Sequence, residues 1–289
     1  MKNLHYLLSI LFLVTCLLIF SACEEVGPNI NFTEPEAALV DSTYFTDAVL
    51  PSQSKHILME EFTGVRCPNC PDGAILADQL AALNPGKIAI VSIHSGFFSV
   101  PYTDEQNLKT EQGEAIEALL GIAPGYPAAS INRKIFDGED KEIVTSPNWS
   151  NYIDEELANP PLANVIVETE YNDMDGELIV RTNTHFLEDI NETVKLSIVL
   201  LENNIIQTQD VNGEIVADYN HKHVLRTMLS PFDGIILGAT VQQKETFQKD
   251  FSFSDFGDEW KRENMIVVVF AHKSGGDKSV LQVAEADVF

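Results

Sequence analysis

Beyond residue 23 the chain carries two cysteines, Cys67 and Cys70, and only two residues separate them. They lie in the run His56-Ile-Leu-Met-Glu-Glu-Phe-Thr-Gly-Val-Arg-Cys-Pro-Asn-Cys-Pro71. A bridge across so short a loop removes little chain entropy, roughly 2 kcal/mol at best. A chain of 289 residues can build cores that do not need so small a staple. The pair therefore reads as chemical, a redox-active disulfide Cys67–Cys70. Zinc would call for two such pairs, or one pair and two histidines. No second pair exists and the seven histidines are scattered, so no metal site is expected. A weaker copper reading would use Cys67, Cys70 and His94.

The surroundings of the pair predict a strand, a helix and a strand. His56 to Phe62 has the apolar character of a buried strand, and Gly64 frees the backbone to turn. With Cys67 as the cap, Pro68 falls at the first helical position, where its missing N–H costs nothing. Leu76, Leu80 and Leu83 recur at helical spacing, and Asn84-Pro85-Gly86 ends the helix. Lys87 to His94 is rich in β-branched residues and reads as the second strand. Asp104 to Leu120 is expected to be mostly helical, and Asn148 to Leu157 a closing helix before Pro160-Pro161.

A cysteine at a helix amino terminus is favoured as thiolate by the partial positive charge there, and Arg66 adds to this. Cys67 is thus the attacking thiolate and Cys70 the resolving thiol. Glu61 lies six residues before Cys67. The arrangement resembles thioredoxins, which hold a buried carboxylate at that offset to exchange a proton with the second cysteine. Glu61 is the candidate for that role; the other reading is that Glu60 or Glu61 points to solvent as the strand alternates. The run Gly121-Ile-Ala-Pro-Gly-Tyr-Pro-Ala-Ala-Ser-Ile-Asn-Arg133 resembles the thioredoxin segment that bears a cis-proline. That places it at Pro127, with Pro124 as the competitor. The Tyr126 backbone would then pair with an extended peptide.

The amino terminus adds an address. Leu7 to Phe20 is almost wholly apolar, too short for a comfortable membrane span, and ends at Phe20-Ser21-Ala22-Cys23. This resembles a bacterial lipobox and predicts a signal peptide over 1–22, lipidation of Cys23 and a tether over 23–50. Acidic residues outnumber basic ones, 44 to 18, for a net charge of −26. A phosphate backbone needs a basic face, so nucleic acid is excluded as a partner.

Beyond Leu162 the period becomes two. Val165, Val167, Thr169 and Tyr171 lead to a turn at Asp175-Gly176, and Leu178, Val180 and Thr182 run back. Further strands are expected at 194–201, 246–253, 265–271 and 280–288, a pattern that suggests an immunoglobulin-like β-sandwich. His221 and His223 read as a surface pair sharing one face. The lipoprotein signal, the Cys-Pro-Asn-Cys run, Gly-Tyr-Pro-Ala with Ile-Asn-Arg, and His223-Val-Leu-Arg226 together resemble the Omp28-related family of outer-membrane lipoproteins. The resemblance implies an α/β thioredoxin-like domain over 51–160, then an all-β immunoglobulin-like domain over 161–289, anchored by lipid at the outer membrane. The expected activity is thiol–disulfide exchange or redox-linked binding of extended peptides or envelope proteins, without a cofactor. The alternative is a surface binding or adhesion lipoprotein whose cysteine pair is only a local disulfide.

Overall fold

The computed structural model describes residues 39–48 and 50–289. The expected signal peptide, Cys23 and most of the tether lie outside the described residues. In chain order the strands are β1 (Asp41–Phe45), β2 (Ile57–Thr63), β3 (Ile88–His94), β4 (Ala128–Ile131), β5 (Ile143–Thr145), β6 (Ala163–Asn172), β7 (Glu177–Phe186), β8 (Val194–Glu202), β9 (Ile205–Val211), β10 (Glu214–His221), β11 (Val224–Met228), β12 (Ile235–Gly238), β13 (Glu245–Phe253), β14 (Met265–Lys273) and β15 (Val280–Asp287). Three α-helices join them: α1 (Cys70–Leu83), α2 (Glu111–Leu120) and α3 (Trp149–Leu157).

The cysteine pair sits in a β–α–β crossover, as the local pattern predicts. β2 runs parallel to β3 through α1, and antiparallel to β4, which pairs with β5. All seven residues of both β2 and β3 are buried, because both faces of this sheet are covered. Ile57 and Met59 pack under α1 and α3 with Leu80, Trp149 and Ile153. Leu58 and Phe62 point the other way, into a cluster with Ile116 and Leu120 of α2. The helix expected from Asp104 begins only at Glu111. Asp104 has φ of 63°, outside the helical region, and Thr110 caps the helix by accepting from the Gly113 amide.

Apart from β9 and β10, the remaining strands belong to two facing sheets. One has the order β1-β13-β7-β6. In the other, β15-β14-β8-β11 continues directly into β3-β2-β4-β5, with β12 also on β8. Val165, Leu178 and Val180 of the first sheet pack on Leu196, Ile198, Val267 and Val269 of the second. The alternate residues of β8 and β14, Val199, Leu201, Val268 and Phe270, join Leu58, Phe62 and Ile116 in one cluster. A core is therefore shared across residue 160, and 39–289 is one compact unit. At the seam the Ser92 amide donates to the His223 carbonyl at 2.7 Å. Nearby, Arg133 is fully buried, paired with Glu60 at 2.6 Å and set over the Phe270 ring at 4.8 Å.

Two local expectations change. His221 is buried and faces inward, whereas His223, with φ of 54°, interrupts the strand alternation between β10 and β11. His221 is thus not part of a surface pair, although both histidines line one cavity. The second change is an addition: between the strands expected at 194–201 and 246–253 the chain forms the hairpin β9–β10, a two-stranded sheet separate from the others, which lies against the cysteine turn.

Candidate functional site: a covered cysteine turn above a cavity

After β2 the chain makes two tight turns before it becomes helical. The Cys67 amide donates to the Gly64 carbonyl at 3.0 Å, and the Cys70 amide to the Cys67 carbonyl at 3.3 Å. The helix α1 then starts at Cys70, not just after Cys67 as the sequence suggests. Pro68 and Pro71 have no amide to give, so the amides that do exist are used first to close turns. Cys67 and Cys70 form a disulfide. Gly73, in the first turn of α1, permits a close approach: a Cβ there would come within 2.5 Å of Pro127 and 3.2 Å of Glu61 Oε1. The Tyr126–Pro127 peptide bond is cis.

Strand alternation assigns the two glutamates to opposite faces, and neither reaches solvent. Glu60 takes the side of Arg133. Glu61 takes the side of α1, where its Oε2 accepts from Ser92 Oγ at 3.2 Å and its Oε1 has no partner. Burial raises its pKa to about 7; the Ser92 bond opposes the shift and Asp78 adds to it. The carboxyl opens onto a cavity of about 230 Å³, also lined by Cys70, His94, Tyr219 and His221. Both ring nitrogens of His94, and Nε2 of His221, are buried without a partner. The two rings lie 5.6 Å apart, and burial holds His221 down to about 4 and His94 well below its ordinary value. The lining is otherwise largely apolar, with Ile75, Ala77 and Ile90, so the carboxyl and the two neutral imidazoles are the groups to which a water in this space would bond. Asp78 also lines the cavity, its pKa lowered to about 2 by His223 and Lys222. Among the described residues, no three His, Cys, Asp or Glu side chains converge closely enough to hold a metal ion.

The profile of the family "Outer membrane protein Omp28" matches residues 115–288. This chain belongs to the Omp28 family. Its location is accordingly the outer membrane. Among solved structures, HBP35 of Porphyromonas gingivalis is 20% identical, with a TM-score of 0.66 over 82% of this chain and 76% of that one. A protein of Agrobacterium tumefaciens is 14% identical, with a TM-score of 0.50 over 83% of this chain and 97% of that one. A domain of the outer membrane lipoprotein Omp28 from Porphyromonas gingivalis is 19% identical, with a TM-score of 0.32 over 44% and 88%. No curated protein matches. Among the described residues of this Omp28-family chain, no helix is long and apolar enough to cross a membrane.

Within the Omp28-family chain, the predicted site residues divide into two groups. Cys67, Cys70, Glu61 and Pro127 come together around the first turn of α1. The side chains of Arg66 and Tyr126 are committed elsewhere, which leaves the backbone pairing expected of Tyr126 untouched. The Arg66 guanidinium donates to the Val100 and Pro101 carbonyls at 2.7 and 2.8 Å and stacks on Tyr102. The Tyr126 hydroxyl donates to Glu117 at 2.8 Å and meets Ser95 at 3.1 Å; burial first, then Glu117, raises its pKa well above the ordinary range. Both cysteines are buried, at 1% exposure each. An exposed Cys67 sulfur would have marked an open exchange site, and this one is closed. The residues that close it, Gln209, Asp210 and Asn212, lie about 140 positions away, and no local pattern marks them.

Proposed function

We propose that this Omp28-family protein is a lipid-anchored, outer-membrane thiol–disulfide exchange protein, with a thioredoxin-like half that carries the chemistry and an immunoglobulin-like half packed on it. One observation carries the reading: the buried Glu61 carboxyl leaves an oxygen unpartnered in the cavity that Cys70 lines. Burying a carboxyl without partners costs several kcal/mol, and a purely structural clamp has no use for it. The order β2-α1-β3-α2-β4-β5-α3, with Pro127 against Gly73, supports a thioredoxin-like assignment. The facing sheets of the second half support the immunoglobulin-like one.

In the exchange, the reduced Cys67 thiolate attacks a partner disulfide, and one partner sulfur leaves as thiolate. Cys70 gives its proton to the Glu61 carboxylate and attacks the Cys67 sulfur. The second partner sulfur leaves, and the Cys67–Cys70 bond re-forms. Two electrons pass to the partner, and an envelope dithiol must restore them. The full chain is expected to accelerate insulin reduction by dithiothreitol, and Cys70→Ser to accumulate a mixed disulfide through Cys67. Absence of both results would sink this reading. The burial of both cysteines favours a second one, a local clamp within a binding lipoprotein, in which partner binding survives Cys67→Ser with Cys70→Ser.

Cys23 is the proposed anchor. The intact mass of detergent-extracted protein is expected to show a chain that begins at Cys23 and carries acyl groups; an unmodified Cys23 would remove the anchor.

A further inference from the structure

The cover on the cysteine turn holds it by backbone amides from the end of β9 and the residue after it. The Asp210 amide donates to the Val65 carbonyl at 2.9 Å, and the Asn212 amide to the Pro68 carbonyl at 2.8 Å. These donors are two residues apart, the spacing at which an extended chain presents amides to one side. Between them and the turn, the Gln209 side-chain amide donates to the Gly64 and Cys67 carbonyls at 3.3 and 3.0 Å. Farther along, Glu105 accepts from both the amide and the hydroxyl of Thr208.

From Arg66 to Pro68 the turn has no free amide to offer. Pro68 has no amide, the Cys67 amide is spent on Gly64, and the Arg66 amide on Phe98. Whatever lies on the carbonyls of Gly64, Val65, Cys67 and Pro68 must bring donors. A small thiol cannot bring a row of them; an extended polypeptide can. We infer that β9 is the intramolecular occupant of a strand-binding edge over the cysteine turn, and that the partner it stands in for is an extended chain segment with a donor side chain such as Gln, Asn, Lys or Arg. The net charge of −26 also favours basic segments. Opening of β9–β10 then gates access to Cys67. The gate rests on the exchange reading only for what the uncovered sulfur does next.

The test measures access, not catalysis. Oxidised full-length protein is treated with limiting dithiothreitol, quenched with iodoacetamide and weighed. Gln209→Ala with Asp210→Pro removes the side-chain clamp and one amide donor. It is expected to speed reduction of Cys67–Cys70 about tenfold or more, because each lost bond contributes on the order of 1 kcal/mol. A synthetic peptide of residues 205–212 is expected to bind the variant and slow its reduction again. An unchanged reduction rate in a variant with the wild-type circular dichroism spectrum would overturn the gate. Wild-type protein provides a second measurement that needs no variant. The Asp210 and Asn212 amides are expected to exchange with deuterium at least tenfold faster than the Ser92 amide, and protection equal to that of Ser92 would also overturn it. If the variant is reduced faster but neither protein reduces insulin, the gate stands and only the exchange reading falls.

Discussion

Glu61→Gln is expected to stabilise the protein above pH 7 and to slow exchange. The sign follows from the direction of the shift. The Glu61 pKa is raised from 4.5 to about 7 in the folded protein, chiefly by burial. Between those values the folded state holds a proton that the unfolded state has lost, so stability falls as pH rises. The cost is absent below pH 4.5, complete above 7 and roughly 3 kcal/mol. A neutral glutamine does not carry it. Urea unfolding of both proteins at pH 5 and pH 8.5 measures the difference. The gap in unfolding free energy between variant and wild type should widen towards the variant's advantage at the higher pH. A gap that does not change with pH would show that Glu61 does not titrate as its burial requires. In exchange, loss of the proton acceptor for Cys70 should slow resolution by roughly 10²-fold, the lower end for positioned acid–base groups. Single-turnover release of a mixed disulfide reads that step.

The protein is expected to lose stability steeply as pH falls below 6.5, and buried histidines are the cause. Burial, followed by the Arg133 charge, lowers His272 to about 3; burial lowers His221 to about 4 and His94 well below its ordinary value. Each is neutral when folded and takes a proton when unfolded below 6.5. Their contribution is complete above that pH and is lost as pH falls towards the folded value. Each contributes about 1.4 kcal/mol per pH unit across its window. That amounts to roughly 3 kcal/mol for His221 and roughly 5 for His272. Glu61 acts in the opposite direction between 7 and 4.5, and Glu202 and Glu285, both raised by burial, act with it, while His56 and His185, both lowered by burial, add to the histidine side. His272 is the clearest case. Its Nδ1 meets the Lys273 carbonyl at 2.8 Å and its Nε2 the Ser197 hydroxyl at 3.0 Å, a set that suits one neutral tautomer. Urea midpoints at pH 7.5, 6 and 5 should fall in wild type. His272→Gln should flatten the slope by about 1.4 kcal/mol per pH unit. An equal slope in the two proteins would remove His272 from the account.

What the sequence determined by itself is local. The apolar run into Gly64, the cysteine spacing, the Leu76-Leu80-Leu83 stripe and the Asn84-Pro85-Gly86 stop are each read within one window. The structure shows the strand, helix and strand they predict. The turn at Asp175-Gly176 is equally local: Gly176 takes φ of 67°, which its lack of a side chain permits. Tertiary structure decided the rest. Alternation alone could not say which of Glu60 and Glu61 faces Cys70, because both faces of β2 are covered and neither residue had a solvent side to prefer. His221 reads as a surface residue until the fold sets its ring, buried, 5.6 Å from that of His94. The two cysteines were legible as a disulfide pair, yet their accessibility depends on Gln209, Asp210 and Asn212, which nothing near residue 67 announces. Periodicity and turn chemistry are properties of neighbours in the chain. Burial, pKa and access are sums over neighbours in space, and at this turn those neighbours come from the far half of the protein.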